Sequence, residues 1–148
     1  MRRFRVRLLP VRVRLLVVAV AAVVIAYASL RPLSGGLGGA GGSGTGIVGL
    51  VGDKQLHFLG YAVFTLVLAY ATAHWRDRPL PRVALVVLVA LGWGLLMELL
   101  QVPVETRQFS LLDLAANTAG TLLASLWFCL ERRVEYGRHS APSESPNN

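Results

Sequence analysis

Apolar residues fall in four long runs with little polar punctuation inside them: Leu15 to Leu30, Leu56 to Trp75, Val83 to Val102 and Leu111 to Leu130. A water-soluble core of this size would break such runs into short amphipathic pieces, whereas each here approaches the ~20 residues a helix needs to cross a bilayer. The pattern predicts an all-α fold, a polytopic transmembrane helical bundle with four spans. It divides the chain into an Arg-rich N-terminus (1–14), a first transmembrane helix (15–30), a Gly-rich external linker (31–52), a core with three transmembrane helices (53–130) and a tail (131–148). The tail is rich in Ser, Pro and Asn and reads as disordered.

The punctuation sets the connections. Arg76-Asp77-Arg78-Pro79-Leu80-Pro81-Arg82 is too short for anything except an antiparallel return, so the second and third spans form a hairpin. Pro103 lacks the amide a helix interior uses and helps end the third span. The uncharged Gly-rich stretch is a flexible linker, since no strand precedes it and no Gly-Lys-Ser/Thr ending follows. Ala26-Tyr27-Ala28 before Ser29 resembles a signal-peptidase site. Retention of the first span is favoured because Leu8, Leu9, Val11 and Val13 extend its apolar length while the intervening Arg side chains snorkel toward headgroups.

Composition agrees with lipid as the solvent: 54% of the 148 residues are hydrophobic, and the mean hydropathy is +0.55. The net charge of +7 comes largely from Arg residues beside the apolar runs, which argues for membrane topology rather than nucleic acid, and no nucleic-acid partner is expected. Alternate loops carry twelve Lys and Arg residues on one face and three (Arg31, Lys54 and Arg107) on the other. By the positive-inside rule both termini are cytoplasmic, and the linker and the Pro103 loop face outward, in a multi-pass protein of the cell membrane. The lone Cys129 allows no intrachain disulfide and no cysteine metal site.

Three spans carry residues that are costly in hydrocarbon: Asp53 and His57, then Glu98 and Gln101, then Asp113 and Asn117. Counting the helical rise from each cytoplasmic end puts His57, Glu98 and Asp113 about 27, 22 and 25 Å up, in the outer third of a layer about 30 Å thick. Spacing places each set on one face: Asp53, His57 and Tyr61; Glu98 and Gln101; Ser110, Asp113, Asn117 and Gly120. Gly60, and Gly120 with Ala124, offer small surfaces for close helix approach. These stripes predict an outward-opening polar pocket rimmed by Lys54 and Arg107.

The same residues carry a resemblance. Tyr27-Ala28-Ser29-Leu30-Arg31-Pro32, Asp53-Lys54-Gln55-Leu56-His57-Phe58 with Tyr61, Glu98-Leu99-Leu100-Gln101, and Arg107-Gln108-Phe109-Ser110 with Asp113 and Asn117-Thr118-Ala119-Gly120 resemble, in order and spacing, the VanZ-like family of membrane proteins. The resemblance covers about residues 27 to 125, while the Gly-rich insertion and the Arg-rich start depart from the pattern. It implies a small helical integral membrane protein, and its name-giving member is associated with low-level resistance to the glycopeptide teicoplanin. It implies no established reaction.

Three roles stay open for the pocket. In a binding role, Asp53, Lys54, Gln101, Arg107, Ser110 and Asn117 contact a charged envelope component, a lipid headgroup or a cell-wall intermediate. In an enzymatic role, Glu98 and Asp113 divide acid and base duties with His57 as proton shuttle. In a purely structural role, pairs such as Lys54 or Arg107 with Glu98 or Asp113 set helix register. No cofactor is expected. His57, Glu98 and Asp113 form a conceivable metal set, but without a second histidine or a His-Glu-x-x-His pattern no metal is assigned. Ser110 reads as a helix cap, with Asp113 three residues on. Membrane lipids are partners, and homo-oligomerisation is open.

Overall fold

In the computed structural model, residues 4–30, 52–103 and 109–137 are described; the linker 31–51, Arg107 and the end of the tail lie outside them. The order is β1 (Phe4–Arg7), α1 (Val11–Leu30), α2 (Asp53–Ala71), a 3-10 turn (Ala73–Trp75), α3 (Pro79–Gln101), α4 (Leu111–Ser125), α5 (Trp127–Leu130), a second 3-10 turn (Glu131–Arg133) and β2 (Val134–Gly137). Three stretches, α1, α3 and Leu111–Arg133, are long and apolar enough to cross a membrane. α2 is 19 residues long but opens with Asp53, Lys54 and Gln55, whose polarity keeps it outside that set.

Burial is inverted relative to a water-soluble domain. Large apolar side chains stand outward along α1 (Leu16, Val23), α3 (Leu88) and α4 (Leu122, Leu123). Arg14, Thr65, Arg82, Glu98, Gln101, Asp113, Asn117, Thr121 and Glu131 are buried. An apolar exterior around polar contacts is what a lipid solvent favours, because hydrocarbon cannot satisfy polar groups. The apolar core is small: Tyr61, Phe64, Leu68, Val86 and Ala90, with Val18, Ile25, Trp93 and Phe128 against it.

α2 packs most extensively on α4, and Gly120 is the reason. A Cβ there would stand 2.1 Å from the Phe58 carbonyl oxygen and 3.2 Å from the Ala62 nitrogen, so only glycine admits the α2 backbone. Gly60 plays no such part, since a Cβ on it meets nothing within 4 Å. On α3 it is Gly94, not singled out by the sequence, that lies against the Tyr61 ring and the Asn117 amide.

Helix ends differ from the sequence boundaries for local reasons. α2 stops at Ala71, short of Trp75, because the Thr72 hydroxyl turns back to the Leu68 and Ala69 carbonyls, at 2.8 and 3.2 Å, and the chain tightens into the 3-10 turn. α3 begins earlier than expected, with Pro79 in the first turn, where a missing amide costs nothing. The fourth run is broken at Leu126, whose amide bonds the Leu123 carbonyl at 3.1 Å in a tightened turn.

One end of the bundle corrects the all-helical expectation. β1 and β2 pair in parallel, Phe4 opposite Val134 through Arg7 opposite Gly137, so residues 131–137 of the supposedly disordered tail are ordered. The N-terminal segment, the α2–α3 hairpin and the C-terminal segment meet here. Arg14 donates to the Ala71 carbonyl at 2.9 Å, and Tyr70 donates to the Arg7 carbonyl at 3.0 Å. Arg76 donates to the Val134 carbonyl, also at 2.9 Å. Arg82, at the end of the hairpin turn, and Glu131, at the start of the tail, form a buried two-pronged ion pair at 2.7 and 2.9 Å. The Tyr136 hydroxyl donates to the same carboxylate at 2.6 Å. Burial pushes its phenol well above the usual tyrosine range, and the bond to Glu131 and the charge of that carboxylate add to the rise.

Candidate functional site

At the opposite end, three helices each contribute a titratable residue to one place. His57 lies on the second turn of α2, Glu98 on the last turn of α3 and Asp113 on the first turn of α4. One ligand atom from each lies within 4.8 Å of the others. The common depth expected from helical rise thus becomes direct proximity.

The α4 stripe forms as its spacing requires. Ser110 caps the helix, its hydroxyl accepting from the Asp113 amide at 3.2 Å. That cap sets the first turn so that Asp113, Asn117, Gly120 and Thr121 all face inward. The Ser110 amide donates to Glu98 Oε2 at 3.1 Å, tying the start of α4 to the end of α3. Ser110 is therefore engaged as a cap and strut.

The α2 side completes the cluster. His57 Nδ1 stands 3.1 Å from Asn117 Oδ1, and since an amide oxygen only accepts, Nδ1 carries the proton in this bond. Its other nitrogen, Nε2, faces Asp113 Oδ2 at 3.9 Å. The Lys54 ammonium pairs with Asp113 Oδ1, one of the ion pairs anticipated for a structural role, with the lysine half-exposed and the aspartate buried.

The other expected residues separate. Gln101 is buried but turns to α1, donating to the Ser29 carbonyl at 3.1 Å, so it braces the first helix rather than joining the cluster. Asp53 is the first residue of α2, and its side chain lies outside the described set, as does Arg107. Tyr61, one turn inward from His57, is buried on the same stripe. A groove of about 610 Å³ at the hairpin end, lined by His74, Trp75, Asp77, Arg78 and Leu85 among others, shares no residue with the cluster.

Several buried atoms at the cluster have no hydrogen-bond partner among the described residues: Glu98 Oε1, Asn117 Nδ2 and the Tyr61 hydroxyl. Glu98 and Asn117 are 0% exposed. Such groups are costly in a low-dielectric interior, and these three gather where the titratable residues converge.

A mostly helical protein with three apolar helices fit to cross a membrane and a buried acid, base and amide cluster at one end is the class that fold and site define. No family model, curated protein or solved structure matches the chain.

Proposed function

We propose that this is a VanZ-like integral membrane protein with four spans, retained first helix and both termini cytoplasmic, whose polar cluster faces outward and recognises a charged envelope component or lipid headgroup. α2 supports the fourth span: its 19 residues rise about 28 Å, close to the hydrocarbon thickness. The orientation is supported by the twelve-to-three distribution of Lys and Arg and by the meeting of β1, the hairpin and β2 at one end. The observation that carries the binding role is the pair of fully buried atoms without hydrogen-bond partners among the described residues, Glu98 Oε1 and Asn117 Nδ2, beside the Lys54–Asp113 ion pair. A ligand offering a donor to Glu98 and an acceptor to Asn117 satisfies both. Arg107, in the loop between α3 and α4, supplies a cation for an anionic group.

A second role is favoured by one observation: His57, oriented by Asn117, presents Nε2 toward Asp113. That arrangement suits acid and base chemistry on an envelope lipid or cell-wall intermediate. The experiment is a deletion strain complemented by Arg107→Glu, His57→Ala, Glu98→Gln or Asp113→Asn, scored for teicoplanin susceptibility and envelope-precursor pools at matched membrane expression. Loss of complementation by Arg107→Glu with normal insertion is expected for recognition. Accumulation of one precursor with His57→Ala indicates turnover. Full complementation by all four contradicts both and leaves the cluster a helix-packing device.

A further inference from the structure

We infer that His57, Glu98 and Asp113 hold one divalent metal ion of the zinc type. The sequence made this set conceivable but left it unassigned, for want of a second histidine or a His-Glu-x-x-His pattern. The geometry supplies what spacing lacked. Their ligand atoms already lie within 4.8 Å of one another. An ion bound at about 2.0–2.2 Å from each brings the donors to about 3.3 Å apart, a contraction within reach of carboxylate rotation.

Each of the three side chains has one atom held from outside and one left over. His57 Nδ1 is held by Asn117 at 3.1 Å, leaving Nε2. Glu98 Oε2 is held by the Ser110 amide at 3.1 Å, leaving Oε1, which is buried and without a partner among the described residues. Asp113 Oδ1 is held by Lys54, leaving Oδ2, which is 3.9 Å from His57 Nε2. Metal-ligating histidines are fixed in this way by an acceptor on the second nitrogen, and ligating carboxylates by donors on the second oxygen. Of the two neutral tautomers, the Asn117 bond favours the one whose Nε2 lone pair faces the carboxylates.

Charge points the same way. Two carboxylates meet in a buried site, and among the described residues ion pairs reach Asp113 but not Glu98. A dication with a neutral imidazole balances both carboxylates, which Lys54 alone does not. One imidazole and two carboxylates suit zinc, and magnesium or calcium would favour an all-oxygen set. Three protein ligands leave a fourth position for water or a ligand oxygen.

With the ion on Glu98 Oε1, a headgroup keeps the Asn117 amide and the open coordination position as its contacts, and the metal assignment stands without that reading, since the test uses the metal alone. The full chain, purified in detergent with any affinity tag removed and stripped by chelator, is titrated with Co²⁺ and then Zn²⁺. One Co²⁺ per chain is expected, with a visible ligand-field band that Zn²⁺ displaces, and with restoration of the melting temperature lowered by the chelator. His57→Ala and Glu98→Gln are expected to abolish the band. Asn117→Ala and Lys54→Met, each of which removes only an outer support, are expected to weaken binding about 10- to 100-fold. Absence of a band in the unsubstituted protein overturns the assignment. So does a band unchanged in His57→Ala, or one lost in His74→Ala instead. The unsubstituted titration and its melting shift remain decisive if a variant fails to fold.

Discussion

His57 on α2 and Asn117 on α4 stand 60 residues apart in sequence and meet through Nδ1 and Oδ1 at 3.1 Å. Their contact holds the imidazole at the junction of three helices, and it depends on α2 and α4 approaching as closely as backbone allows at Gly120. Removing the acceptor leaves a part-buried ring N–H unpaired. Asn117→Ala is expected to lower unfolding stability in detergent by about 1–3 kcal/mol; stability equal to the parent protein would show that the bond does not anchor the ring.

The two glycines of the α2–α4 region separate sharply. Gly120→Ala puts a Cβ into the Phe58 carbonyl and is expected to destabilise by about 1–3 kcal/mol or more. Gly60→Ala meets open space and is expected to stay within about 0.5 kcal/mol of the parent, by the same unfolding measurement. Equal effects would contradict the close approach.

At the other end, Arg82 and Glu131 have side chains 2% and 5% exposed. Arg82→Met or Glu131→Leu leaves one buried charge alone and is expected to lower stability by about 3–5 kcal/mol, while the double replacement is expected to recover much of it. Additive losses in that cycle would place the two charges in independent environments.

Tyr136 gives a pH signature. Its phenol is held neutral in the folded protein beyond the point where an unfolded tyrosine, with a pKa of about 10, ionises. The raised folded pKa contributes stability that is fully present below about pH 10 and is lost as pH rises through the folded value. Tyr136→Phe is therefore expected to flatten the alkaline fall in melting temperature while also losing the bond to Glu131. An unchanged alkaline limb would contradict the assignment.

How much of this was legible in the chain differs between its two ends. The polar cluster was readable because depth follows from helical rise alone: His57, Glu98 and Asp113 each sit about as far from the opposite end of their own apolar run, and equal depth in a bundle brings residues together. Asp113, Asn117 and Gly120 were readable as one face from their spacing. Gln101 was not, since spacing does not say that its neighbour is Ser29 on α1 rather than Glu98. The contacts that join the hairpin to the two chain ends were not legible because flanking charges have no periodicity. Phe4–Arg7 and Val134–Gly137 are too short to announce strands, and nothing local to Arg82 reveals a partner 49 residues away. Gly94 carried a signal, four residues after Ala90 on the buried face of α3, that the polar residues overshadowed.

The central claim, a bundle crossing the membrane with its polar cluster at the outer end, is tested most directly by labelling the two ends of α3 in intact cells. Val102 follows Gln101 at the cluster end and Leu80 lies at the hairpin; they are 60% and 81% exposed. In a Cys129→Ser background, Val102→Cys is expected to react with a membrane-impermeant maleimide in intact cells, and Leu80→Cys only after permeabilisation. The reverse pattern, or reaction of both without permeabilisation, would contradict the outward cluster.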